Sequence, residues 1–138
     1  MNTARILLVE DNPDDEALTL RGLRTGGWDT GTTVARDGKA ALDRLDGMAD
    51  LPDLVLLDLK LPGLDGSEVL QRIREQERTR LLCVVVFTSS NEPGDVARCH
   101  ALGCNGYVVK PVAYESYIET VQQIGHYWLA LNRTPHRA

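Results

Sequence analysis

Unbroken apolar runs alternate along the chain with segments in which apolar positions recur every three or four residues. "RILLVE" (5–10), "PDLVLLD" (52–58) and "LLCVVVFTS" (81–89) are apolar runs of strand length, the pattern of strands buried on both faces. "TGTTVA" (30–35) is β-branched but shorter and more polar, and "GYVVK" (106–110) completes five predicted strands. The segments between them predict helices over 14–27, 38–48, 65–77 and 92–103, and a long last helix over 113–132. In the first, Ala17, Leu18, Leu20 and Leu23 share roughly one face and a Gly pair closes the run, with Asp14 read as a capping acid at its start. The third has the best-marked start: Asp65 can cap and Glu68 stands three residues on.

Five β-α units in succession imply an α/β fold, a doubly wound parallel sheet with helices on both faces. The polar second strand belongs at an edge. Right-handed crossovers then favour the flavodoxin-like order 2-1-3-4-5, with its switch point between strands 1 and 3. The expected domain spans 1–132, and "RTPHRA" (133–138) is expected to be a flexible tail.

Composition narrows the setting. The 138 residues suit one domain with a full core, and 43 % hydrophobic with 25 % charged residues is ordinary for a globular chain. A net charge of -5 opposes nucleic-acid or anionic-membrane binding by bulk attraction. No apolar run has the length of a membrane span, and "MNTARILLVE" lacks the regions of a signal peptide, so a cytoplasmic protein is expected. Three cysteines without an export signal argue against a disulfide framework. "CHALGC" brings Cys99, His100 and Cys104 close in sequence but matches no common zinc spacing, so it reads as partly buried free thiols beside a surface histidine.

The chemistry gathers at the strand ends, where a sheet of this topology places its ligand site. Strand 1 ends in Glu10 and Asp11, strand 3 in Asp58, strand 4 in Thr88 and Ser89, and strand 5 in Lys110. Three carboxylates converging there repel one another unless a cation joins them, and hard oxygen donors without soft ones select Mg²⁺. A cation beside a carboxylate, an ammonium and a hydroxyl is equipped for phosphoryl transfer. Asp58 would be the nucleophile, Lys110 would neutralise phosphoryl charge, Thr88 would donate a hydrogen bond, and the small Ser89 would leave room. Singly these residues read as capping acids, a turn acid, a β-branched strand residue and a solvated charge; together they point to one site.

"ILLVEDNPDD", "LVLLDLKLPGLDG", "VVVFTSS" and "GYVVKP" resemble the four signatures of the receiver domain of two-component response regulators. The resemblance implies that Asp58 is the phosphoacceptor. It implies that Asp11 and Asp58 ligate Mg²⁺ directly, that Glu10 completes the acidic pair, and that the Lys60 carbonyl adds a ligand. Thr88 and Tyr107 resemble the switch pair, Lys110 the phosphoryl-contacting lysine, and the Lys110–Pro111 peptide is then expected to be cis. "DNPDD" and "TSSN" resemble single-domain regulators paired with phytochrome-type or other sensor histidine kinases, with no output domain expected to follow. Lys60 stands two residues after the acceptor, where the family varies. Aspartyl phosphatases of the haloacid-dehalogenase type are the rival enzyme class, but their "DxDx[TV]" is replaced by "EDNPD" after strand 1. A scaffold that no longer takes phosphate would usually have lost Asp58 or Lys110. The output is then a surface. A stripe on the last helix, including Tyr117, Val121, Ile124 and Trp128, is expected to form a homodimer interface with helix 4 and strand 5.

Overall fold

The computed structural model describes residues 4–28 and 31–135. Five strands, β1 (Ile6–Val9), β2 (Thr32–Ala35), β3 (Leu54–Leu57), β4 (Val84–Thr88) and β5 (Gly106–Val109), alternate with α1 (Pro13–Thr25), α2 (Gly38–Gly47), α3 (Gly66–Glu75), α4 (Pro93–Ala101) and α5 (Tyr114–Gly125). All pairings are parallel, and the strand order is β2-β1-β3-β4-β5, as the apolar pattern predicts. The expected first residue of the second strand, Thr30, lies outside the described residues.

Strand alternation divides the core in two. Leu7, Val9, Val55, Leu57, Val84 and Val86 face α2, α3 and α4 through Ala41, Leu45, Val69, Leu70, Ile73 and Cys99. Ile6, Leu8, Leu54, Leu56, Val85 and Phe87 face α1 and α5 through Leu23, Tyr117, Val121 and Ile124. The central strands β1, β3 and β4 are wholly buried, whereas β2 at the edge is only half-buried, which explains its more polar sequence.

Four expectations need correction. Asn12, not Asp14, caps α1: its Oδ1 accepts from the Asp14 and Asp15 amides at 2.8 and 3.1 Å. Pro13 takes the first helical position, where its fixed φ and missing N–H cost nothing, so the helix starts one residue earlier than the acids suggest. The Lys110–Pro111 peptide is trans, there being no cis bond among the described residues; trans is the intrinsically favoured isomer even before proline. The last helix keeps α geometry only to Gly125 and continues as a π-helical turn, His126–Leu131. Finally, Tyr117, Val121 and Ile124 are not an interface. They are 3 %, 0 % and 5 % exposed and form the chain's own core. An apolar stripe reports that a helix face is covered, but not by what; here the sheet covers it. Trp128 is half-buried over β5, close enough to Gly106 that a Cβ there would lie 3.0 Å from its ring.

Beyond the π turn the chain stays on the domain as far as Thr134, which is buried. No helix among the described residues is long and apolar enough to cross a membrane.

Candidate functional site

Hydrogen bonds carry the ladder just past the strand ends and so align the polar residues. Val9 pairs with Leu57, and the Asp58 amide donates to the Val9 carbonyl at 3.1 Å. The Glu10 amide donates to Ala35 O at 2.9 Å, and the Lys110 amide to Thr88 O at 2.7 Å. Glu10, Asp58, Thr88 and Lys110 therefore leave the sheet together, and all four are buried. Asp11 follows Glu10 but is exposed.

Glu10, Asp11 and Asp58 each place a carboxylate oxygen within 4.8 Å of the others. The Lys110 ammonium sits against them, 2.5 Å from Glu10 Oε1 and 3.0 Å from Asp58 Oδ2. Asp58 Oδ1 accepts from the Leu59 amide at 2.7 Å and, more distantly, from the Lys60 amide. The Lys60 side chain is exposed. Burial alone would lower the Lys110 ammonium, but its hydrogen bonds to Asp15 and Glu10 and the nearby carboxylate charges raise it overall, so it stays charged. Glu10 moves the other way from the usual ion-paired acid. Burial, with help from the Asp58 charge, outweighs Lys110 and pushes it up from 4.5 to about 7.

That shift has a definite sign in stability. Between pH 4.5 and about 7 the folded chain holds a proton on Glu10 that the unfolded chain has lost. Metal-free stability should therefore fall as pH rises through this window, and level off above it. Thermal melts in chelator from pH 4.5 to 7.5 should show the fall, and Glu10→Gln should flatten it. A slope unchanged in Glu10→Gln would remove Glu10 as its source.

Two residues at the site escaped the sequence reading. Asp15, on α1, approaches Lys110 Nζ at 2.8 Å. It sits in an acid-rich helix start where a capping role was the natural reading, and strand-end logic does not reach onto helices. Ser90 links the residues expected to form a switch. Its amide lies 3.4 Å from Thr88 Oγ1, its carbonyl accepts from the Tyr107 hydroxyl at 3.0 Å, and its own hydroxyl donates to Asp95 Oδ2 at 2.5 Å. Thr88 is fully buried and Tyr107 half-buried against the α4-side core. Ser89, between them, is exposed. Cys83, Cys99 and Cys104 are buried free thiols and His100 is exposed, as expected.

Comparison with known proteins adds to this geometry. The family profile of the response regulator receiver domain matches residues 6–122. The chain is 44 % identical over 134 residues to the probable methanogenesis regulatory protein FilR2 of Methanothrix harundinacea, covering 94 % of this chain and 86 % of that one. It is 36 % identical over 129 residues to the response regulator Rcp1 of Synechocystis, covering 90 % and 88 %. The crystal structure of Rcp1 in its Mn²⁺-bound form superposes with a TM-score of 0.88 at 35 % identity, covering 96 % and 99 %. That of the phosphorylated cyanobacterial phytochrome response regulator RcpA superposes with a TM-score of 0.91 at 32 % identity, covering 96 % and 98 %. By the family match over most of its length and by its identity to these relatives, the chain belongs to the response regulator receiver family.

Proposed function

We propose that this receiver takes a phosphoryl group onto Asp58 from a sensor histidine kinase, of the phytochrome type on the pattern of its relatives, and signals through the surface that the modification reshapes. The observation that carries the reading is the Asp58 carboxylate itself. It is buried at the end of β3, with one oxygen on main-chain amides and the other on the Lys110 ammonium. In the reaction a carboxylate oxygen of Asp58 forms a bond to phosphorus while the P–N bond of the donor phosphohistidine breaks. The electron pair leaves with the imidazole nitrogen. Lys110 turns from carboxylate to phosphoryl oxygen, the Thr88 hydroxyl donates to another, and Ser89 leaves space for the group.

The donor set fits Mg²⁺. Glu10, Asp15 and Asp58 share the Lys110 ammonium here, and Asp11 adds a fourth carboxylate beside Glu10 and Asp58, so acids outnumber the cation that faces them. Asp11, Asp58 and the Lys60 carbonyl would hold the ion, with Glu10 beside them. The ion would supply neutralisation of phosphoryl charge. Rcp1 binds Mn²⁺ in its crystal structure, the same class of hard divalent cation. Incubation with acetyl phosphate and Mg²⁺ should add the mass of one phosphoryl group, and a protein that gains no mass under these conditions contradicts the reading.

The switch runs through Ser90. When the Thr88 hydroxyl turns to the phosphoryl group it gives up its contact with the Ser90 amide, and Ser90 carries the movement to Tyr107 and Asp95 of α4. Thr88→Ala should accept phosphate yet change the environment of Tyr107 little. Tyrosine-resolved NMR with beryllofluoride would show this, and equal responses in Thr88→Ala and wild type would break the link. The output we favour is a homodimer through α4, β5 and α5 in the cytoplasm. On this fold its apolar contacts would be Val109, Val112, Tyr127 and Leu131, which are exposed. Sedimentation as a monomer both with and without beryllofluoride would contradict it.

A further inference from the structure

We infer that Asp15 is a positioning residue for Lys110, holding its ammonium on the α1 side and competing with the phosphoryl group for it. The inference rests on the acceptor reading of Asp58 and goes beyond it. An ammonium has three N–H donors, and Lys110 directs them to Glu10, Asp15 and Asp58. Two of these acceptors belong to the three-carboxylate cluster that could hold a metal; Asp15 does not. When Glu10 and Asp58 turn to a cation or to a phosphoryl group, Asp15 is the partner that stays.

Asp15 is built to stay. Its amide is held by the Asn12 cap at 3.1 Å, and its carbonyl accepts from the Tyr117 hydroxyl at 3.3 Å. Tyr117 is buried in the core and shares its hydroxyl with Thr19 Oγ1 at 2.9 Å, so α1 and α5 both fix the Asp15 backbone. The carboxylate is 28 % exposed, against 5 % for the lysine side chain, so it meets the buried ammonium from the solvent side. Its charge therefore opposes phosphoryl binding twice, by holding Lys110 back and by direct repulsion.

Asp15→Asn tests this, because it keeps the side-chain shape and leaves both backbone contacts untouched. In metal-free protein, ¹⁵N NMR of the Lys110 ammonium reads the contact without any phosphoryl group. Wild type should give a protected signal, and Asp15→Asn should shift it or hasten its exchange with water. At saturating Mg²⁺, beryllofluoride should bind Asp15→Asn about three- to tenfold more tightly than wild type, the size expected for one nearby, partly solvated charge. No protected signal in wild type, an identical signal in the two proteins, or equal or weaker beryllofluoride binding by Asp15→Asn overturns the inference. Failure of wild type to bind beryllofluoride or gain a phosphoryl group counts instead against Asp58 as acceptor, and the ammonium signal then decides whether Asp15 holds Lys110.

Discussion

Asp58→Asn should take up no phosphoryl group from acetyl phosphate and Mg²⁺, and in chelator it should melt a few degrees above wild type. The first result follows from chemistry, since an amide oxygen is a far weaker nucleophile than the carboxylate it replaces. The second follows from the crowding of like charge. Asn keeps an acceptor for the Leu59 amide, and Lys110 keeps Glu10 and Asp15 as partners. What disappears is a buried negative charge beside Glu10, the neighbour that helps push that acid up. Losing a repulsion of about 1 kcal/mol shifts the melting temperature by several degrees in a domain of this size. Adding Mg²⁺ should narrow or reverse the gap, because a cation that binds only the folded cluster stabilises wild type more. Intact mass and paired melts decide both parts. Full phosphorylation of the variant would move the acceptor elsewhere, and a lower metal-free melting temperature would show that the lost Lys110 contact outweighs the relieved repulsion.

Gly66→Ala should be among the most damaging small substitutions in the chain. Gly66 opens α3 behind the Asp65 cap, and its amide donates to Leu59 O at 2.9 Å. A Cβ there would fall 2.2 Å from the Asp58 carbonyl oxygen and 2.6 Å from Leu59 Cα. Both neighbours are main chain, so no side-chain rotation relieves the clash; either α3 or the acceptor loop must move. A cost of about 3 kcal/mol or more is expected, roughly a 10 °C drop in melting temperature. Phosphorylation should slow even in the molecules that remain folded, because the displaced segment is the one that carries Asp58 and the Leu59 amide on its carboxylate. Gly47→Ala is the control. Nothing lies within 4 Å of its added methyl, and the residue is helical, so the change should be neutral or slightly stabilising. A Gly66→Ala protein as stable as wild type would mean that α3 and the acceptor loop are not rigidly abutted.

The sheet was readable in the sequence because β1, β3 and β4 are buried on both faces, and no other common element demands such unbroken apolar runs at strand length. The strand-end residues were readable for the same reason: a polar side chain that halts such a run stands out. Tyr117, Val121 and Ile124 show where that reasoning stops. Their spacing announces burial, and the partner is decided by tertiary packing that spacing does not encode. Asp15 shows a second limit, since its contact with Lys110 joins residues 95 positions apart through a helix whose start the acids alone misplace. The departure from α geometry at His126 left no mark in the apolar period.

The division of the core also gives the protein two built-in clocks. Cys83 lies in the layer under α1 and α5, and Cys99 and Cys104 in the layer under α2 to α4. Burial pushes the Cys83 and Cys99 thiols up to about 11 and raises Cys104 as well, so the reactive thiolate is scarce while the layers are closed. Alkylation then proceeds at the pace of opening, and single-cysteine variants time each side of the sheet separately. A phosphoryl-driven rearrangement at Tyr107 would quicken the Cys99–Cys104 clock and leave that of Cys83 running at its old rate.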